Sequence, residues 1–217
     1  MAIKNLSQSP HYYKQYKSNI YRAPRKDFYN IHESKSKKNY SKALLKNFKM
    51  NNNLLNYKKG KVPLGQKIIV TGKVIDTYGA ALKNVIIEIW QANSAGKYKD
   101  EKDKHDAPID PNFFGYGTTK TDKNGQYKFL TIIPGAYPWH NYKNAWRPKH
   151  IHFSLLNANI FSRLCTQMYF PDDSLLKYDP IFNSVPKLFR SKLVAKFDQN
   201  KNYIPNFLLF NFDIIMS

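Results

Sequence analysis

The stretch Trp146-Arg147-Pro148-Lys149-His150-Ile151-His152-Phe153, preceded by Pro134-Gly135-Ala136-Tyr137-Pro138-Trp139, reads as a strand entered from a loop. His150 and His152 are two residues apart. In an extended chain that spacing puts both imidazoles on one face and leaves Ile151 and Phe153 to pack on the other. Two imidazoles side by side suit a metal. Tyr137, in the preceding loop, and Tyr98, in Gln91-Ala92-Asn93-Ser94-Ala95-Gly96-Lys97-Tyr98, would complete a set of two phenols and two imidazoles. A free phenol ionises near pH ~10, but a highly charged cation reverses that preference, and two phenolates with one hydroxide balance Fe³⁺. Zinc fits less well, because its usual ligands are cysteine, histidine and carboxylate. Taken alone, the pair also fits two core histidines satisfied by backbone carbonyls. With only six histidines in the chain, an i, i+2 pair on an apolar strand still stands out against 16 tyrosines, most of which serve packing.

Working outward, short apolar or alternating segments bounded by turn residues recur. They are Lys67 to Ile75, Val85 to Trp90, Gln126 to Leu130, His150 to Leu155, Leu164 to Phe170 and Phe207 to Ile215. Asp76-Thr77-Tyr78-Gly79 reads as a turn. Asp122-Lys123-Asn124-Gly125 reads as a hairpin loop between Gly117–Thr121 and Gln126–Phe129. A helical pattern is predicted only for Lys187 to Phe197, through Leu188, Lys192 and Ala195. The expected fold is all-β: a single β-sandwich of two packed, mainly antiparallel sheets with long loops, spanning residues 63–217. Residues 1–62 are polar, basic and tyrosine-rich, with low-complexity patches at Ser34-Lys35-Ser36-Lys37-Lys38-Asn39 and Asn51-Asn52-Asn53, and read as an irregular arm.

The formal net charge is +20 over 217 residues, and residues 1–62 hold 15 Lys or Arg against Asp27 and Glu33. Clustered lysines invite nucleic acid. However, 22 asparagines accompany the lysines along the whole chain, which suggests compositional drift, and no recognised nucleic-acid motif accompanies the charge. A non-catalytic basic β-sandwich that binds nucleic acid or an acidic partner is the competing reading from another class. No apolar window approaches the ~18 residues of a membrane span, and the start lacks the apolar core of a secretory signal, so a cytoplasmic protein is expected. Cys165 is the single cysteine; it excludes disulfides and cysteine-based clusters within the chain and is expected to be a buried structural thiol. Arg147 cannot ligate a metal but can place a permanent positive charge beside one. Its structural alternative is an ion pair with Asp106 or Asp110. The Pro- and Gly-rich loop Ala107–Gly117 is expected either to frame the site's mouth or simply to pack.

Several stretches together resemble the intradiol ring-cleaving catechol dioxygenases, nearest the protocatechuate-cleaving branch. They are Glu88-Ile89-Trp90-Gln91-Ala92-Asn93, Gly96-Lys97-Tyr98, His105-Asp106-Ala107-Pro108-Ile109-Asp110-Pro111-Asn112-Phe113, the two stretches quoted first, and Thr166-Gln167-Met168-Tyr169-Phe170. The match covers roughly residues 63 to 215. A weaker one at Gln15–Arg25 extends it into the arm. The resemblance implies one non-haem Fe³⁺ per chain held by Tyr98, Tyr137, His150 and His152, with Tyr137 the ligand that a catechol displaces. It implies a ring opened by O₂ between its two hydroxylated carbons, with Arg147 stabilising the electron-rich ring. Gln167, Trp139 and Ile181 match positions lining the substrate pocket, and Tyr16 matches a tyrosine near the substrate carboxylate. The resemblance further implies a protocatechuate-like catechol as substrate and a homologous α subunit as partner, with catechol and hydroxyquinol as alternative substrates. His140 stands where relatives commonly carry arginine, and the arm from Tyr29 to Tyr57 has drifted to lysine and asparagine; these departures bear on partner and substrate more than on the iron ligands.

Overall fold

Eleven strands, introduced here in chain order, account for most of the regular structure among the described residues. These are 49–101, 103–138, 145–157, 162–198 and 204–216 of a computed structural model. The strands are β1 Lys67–Asp76, β2 Ile86–Trp90, β3 Tyr116–Lys120, β4 Gln126–Ile132, β5 Tyr137–Pro138, β6 Trp146–Arg147, β7 His150–Asn157, β8 Ser162–Tyr169, β9 Lys196–Phe197, β10 Phe207–Asn211 and β11 Ile214–Met216. One sheet runs β3-β2-β7-β8, all antiparallel. The other is built around β1, which pairs antiparallel with β4 and parallel with β10 and β11. β5 and β6 form a small third ladder in which Tyr137 faces Arg147.

The two larger sheets close on one apolar core, as the alternation predicts. Ile87 and Ile89 from β2, Ile151, Phe153 and Leu155 from β7, and Leu164 and Met168 from β8 meet Ile68, Val70 and Val74 from β1, Phe129 from β4 and Phe210 from β10. The Phe153 ring packs edge-on against Tyr127 and Phe129. The residues between them, such as His150, His152, Gln167 and Tyr169, point away from this core yet are themselves buried. The four-stranded sheet is therefore covered on both faces, and its second face carries the polar side chains.

Five expectations are corrected. The Asp122–Gly125 turn forms as read, with Asp122 accepting from the amides of Asn124 and Gln126 and Gly125 at φ 74°. The strands it joins, however, enter different sheets, so it is a corner of the sandwich and not a hairpin. The Phe207–Ile215 segment is two strands, not one. Between them the Phe212 amide donates to Thr71 O, the Asp213 carboxylate accepts the Lys73 amide, and the Phe212 carbonyl accepts the Tyr127 hydroxyl. The 187–197 helix shrinks to α2, Lys187–Arg190, plus a 3₁₀ turn at Ser191–Leu193, because the Ala195 amide is drawn to Tyr169 O and the chain runs extended there. A short helix preceding it, α1 at Pro180–Ser184, and the 3₁₀ turn Ser174–Tyr178 were not anticipated. Cys165 is half-buried on the face of β8 opposite its core residues.

The Asn51-Asn52-Asn53 patch, which reads as low complexity, is a strap. Asn51 exchanges backbone bonds with Thr118 on β3, while the Leu130 amide of β4 donates to Asn52 O and the Leu54 amide donates to Leu130 O. Leu54 is 2% exposed and belongs to the core. One short segment thus ties the edges of both sheets.

Two consequences are measurable. A Cβ at Gly72 would stand 2.0 Å from the Phe212 carbonyl oxygen, a backbone atom fixed by its own bonds. Gly72→Ala should therefore cost at least the ~1–3 kcal/mol typical of overpacking, read as a lower urea midpoint with an unchanged slope. Burial pushes the Tyr127 phenol well above its usual value near 10, with Asp213 adding to the effect. The folded chain keeps that proton while the unfolded chain releases it, so stability present below pH ~10 is lost as pH rises past it. Tyr127→Phe should lower stability at neutral pH by about 1–3 kcal/mol, because the Phe212 carbonyl loses its donor, and should flatten the alkaline decline. Equal alkaline slopes in the two proteins would refute the assignment.

Candidate metal centre

The second face of the four-stranded sheet carries the polar site at the edge where β2 ends, β7 begins and β8 ends. Register places Trp90, His152 and Gln167 side by side on neighbouring strands, and His150 beside Tyr169. The Trp90 indole lies flat on the His152 imidazole, centroids 4.9 Å apart and planes 4° apart. Trp90 Nε1 is buried and has no hydrogen-bond partner among the described residues. That stacking restricts rotation of the His152 ring.

Tyr98 reaches this face from the loop after β2. Asn93 organises the loop, its side-chain oxygen accepting from the amides of Ala95 and Lys97. Gly96 sits at φ 81°, and a Cβ there would stand 2.0 Å from Ala136 O. Only glycine allows this loop to lie against the segment that carries Tyr137. As a result the Tyr98 and Tyr137 rings meet edge-on at 5.2 Å.

The Tyr98 hydroxyl oxygen lies 3.1 Å from His152 Nε2 and 3.4 Å from His150 Nε2. His150 Nδ1 faces Pro148 O at 2.7 Å. A carbonyl can only accept, so Nδ1 carries the hydrogen and Nε2 presents its lone pair inward. Two imidazole nitrogens and one phenol oxygen thus converge in a nearly dry pocket, with Tyr98 6%, His150 2% and His152 4% exposed. The donor set fits a hard, highly charged cation.

The Tyr137 hydroxyl donates to Asp103 Oδ1 at 3.1 Å. Asp103 is the hub of this side of the site. Its carboxylate also accepts the amides of Tyr98 and His105 and pairs with Lys97 Nζ at 3.8 Å. Lys97 in turn donates to the carbonyls of Asp103 and His105.

On the opposite side, Arg147 is fully buried and makes an ion pair, though not with Asp106 or Asp110. Asp106 is exposed, and Asp110 accepts the amides of Leu64 and Asn112. The partner is Asp179, which accepts from Arg147 Nε at 3.3 Å and Nη2 at 3.0 Å. Arg147 Nη2 also meets Gln167 Oε1 at 2.7 Å and the Tyr169 hydroxyl at 2.9 Å, and Nη1 lies 3.1 Å from His150 Nε2. Burial raises the Tyr169 phenol well above its ordinary value, against the pull of Arg147, so Tyr169 is a neutral donor to Gln167. Ile181, in the first turn of α1, is buried beside this pair. The Ala107–Gly117 loop turns Phe113 into the sandwich core.

Tyr98, Tyr137, His150, His152, Arg147, Gln167 and Ile181 are therefore all placed at or beside one pocket. Trp139, His140 and Tyr16 lie outside the described residues. Asp103, Asp179 and Tyr169 were missed. Asp179-Pro180 carries a recognisable helix-start signature, but its pairing across 32 positions with Arg147 has no local signal.

A family model described as "Dioxygenase" matches residues 40–217. The protocatechuate 3,4-dioxygenase beta chain of Burkholderia cepacia is 53% identical over 154 residues, 71% of this chain and 66% of that one. The hydroxyquinol 1,2-dioxygenase of Rhizobium sp. (strain MTP-10005) is 30% identical over 129 residues, 54% of this chain and 42% of that one. The chain thus aligns with just under two thirds of the first relative and less than half of the second. The crystal structure of 3-chlorocatechol 1,2-dioxygenase from Rhodococcus opacus 1CP superposes with a TM-score of 0.58, covering 77% of this chain and 65% of that one at 24% identity, which speaks for the fold.

Removing the hub should be expensive. Asp103→Ala removes the acceptor of the Tyr98 and His105 amides and of the Tyr137 hydroxyl and should cost about 3–5 kcal/mol in chemical denaturation, as when one partner of a buried pair is removed. A loss below about 1 kcal/mol, the usual limit for a surface pair, would show that Asp103 does not organise the loop.

Proposed function

Because the chain belongs to the intradiol ring-cleaving dioxygenase family, we propose that it is the iron-bearing β subunit of an enzyme that opens protocatechuate with O₂. Cleavage falls between the two hydroxylated carbons and gives 3-carboxy-cis,cis-muconate. The observation that carries this reading is the approach of both histidine Nε2 atoms to the Tyr98 hydroxyl, 3.1 and 3.4 Å away, in a buried pocket. The 53% identity to a protocatechuate 3,4-dioxygenase beta chain supports protocatechuate as the substrate.

Tyr98, His150 and His152, with Tyr137, are the residues that would hold ferric iron. Bound there, ferric iron would supply Lewis-acid chemistry that withdraws electron density from a catechol ring. Tyr137 would also supply a base: as a phenolate its oxygen can take up a catechol proton, and Asp103 Oδ1, 3.1 Å away, accepts the resulting O–H. Arg147 presents a fixed positive charge 3.1 Å from His150 Nε2, where it favours negative charge developing on the ring. Because these side chains are buried away from bulk water, both effects are screened weakly. Gln167, Ile181, Trp139 and Tyr16 are assigned to the substrate pocket. The name of the β-chain relative points to a companion α subunit, which would complete that pocket.

The iron-loaded chain, co-expressed with its α-like partner, should show a broad red-brown phenolate-to-iron band that shifts when protocatechuate is added without oxygen. Protocatechuate-dependent oxygen uptake should fall in Tyr98→Phe and His152→Ala by more than the ~10–100-fold typical of losing an outer-shell partner. Unchanged uptake in both variants would sink the assignment. Faster turnover of catechol or hydroxyquinol than of protocatechuate would move the substrate to those ortho-diphenols.

A further inference from the structure

Asp179 is fully buried, and four donors meet its carboxylate. The amides of Ile181 and Phe182 approach Oδ1 and Oδ2 at 3.3 Å each, capping α1. Arg147 Nε and Nη2 approach the same two oxygens at 3.3 and 3.0 Å. The backbone amides fix the carboxylate, and the carboxylate then fixes the plane of the guanidinium by a two-pronged contact. With Nε and Nη2 committed on one edge, Nη1 is left aimed at His150 Nε2, 3.1 Å away.

We infer that Asp179 is a positioning residue for the ring-opening reaction: it holds the Arg147 guanidinium against the metal-binding edge of His150 while itself remaining clear of substrate. The inference rests on the dioxygenase reading above. It has an unusual sign. If only the amount of positive charge mattered, neutralising Asp179 would raise the local charge by one and help the reaction. If orientation matters, the same change slows the reaction, because an unanchored guanidinium is free to turn toward Gln167 and Tyr169, which already engage Nη2 at 2.7 and 2.9 Å.

The test compares Asp179→Asn, Arg147→Met and the double variant with wild type, with kcat expressed per bound iron. Asn caps a helix about as well as Asp and has nearly the same shape, so the substitution removes the charge and one acceptor while leaving the cap. Expected is a kcat about 100-fold lower, the scale of a small misplacement of a catalytic group, with KM unchanged. In the Arg147→Met background Asp179→Asn should cause no further loss, because the two act as one unit. In urea unfolding of the metal-free proteins the same cycle should show coupling between the two positions, a readout independent of activity. Wild-type kcat in Asp179→Asn, a faster variant, or losses that simply multiply in the double variant would overturn the inference. Should the Asn variant fail to fold, Asp179→Glu carries the test. It keeps the charge but displaces the carboxylate from the guanidinium and should lower kcat several-fold at constant KM; an unchanged kcat overturns the inference. The wild-type spectral shift with protocatechuate is the control: its absence defeats the dioxygenase reading, whereas its presence with an unaffected Asn variant defeats the Asp179 assignment alone.

Discussion

The register of β7 against β2 and β8 is the constraint on which everything else here depends. Ile151, Phe153 and Leu155 are locked into the core between the sheets, so His150 and His152 must emerge on the other face, opposite Tyr169 and Gln167 and beside Trp90. A slip of one residue would send the imidazoles into the apolar core and three large apolar side chains into the site. Burial of roughly 2 kcal/mol per large side chain stands against that slip. The same energy that folds the sandwich therefore aims the ligands, and no separate device is needed to hold them side by side.

What the sheet cannot do is place the groups that arrive from loops. Two buried carboxylates take over there. Asp103 gathers the Tyr98 amide, the Tyr137 hydroxyl and Lys97. Asp179 gathers the first turn of α1 and Arg147. Taking a carboxylate out of water is costly, and in such places the return is geometric definition more than net stability. Each carboxylate is met by backbone amides as well as by side chains, so its own position is set by the fold before it sets that of its partners.

The strands and the ligand pair were legible because they rest on a period of two, which can be read over a few residues. The i, i+2 histidines, the β-branched run at Lys67–Ile75 and the Asp122–Gly125 turn all gave local signals. The failures share a different cause. Whether the Asp122 turn closes a hairpin or a sandwich corner depends on which strand lies next to β4, and that is β1, more than fifty residues away in the chain. Leu188, Lys192 and Ala195 have helical spacing, yet the Tyr169 carbonyl captures the Ala195 amide and the segment runs extended. An ion pair with nearby Asp106 or Asp110 is the structural alternative for Arg147, but the fold supplies Asp179 from another element. The Asn51-Asn52-Asn53 run was discounted for its composition, although it bridges both sheets through its backbone, where side-chain identity matters little.

The parallel pairing of β1 with β10 and β11 has a consequence for biosynthesis. β1 lies in the middle of its sheet, and on one side its partners are residues 207–216, some 140 positions later. As the chain leaves the ribosome, β1 can zip to β4 early, but its other edge stays open until residue 216 has emerged. Such distant pairing also makes closure slow. The second edge of β1 is thus paired only once residues 207–216 have been made, and a chain that stops before them would carry an exposed apolar strand edge, a natural target for chaperones and proteases.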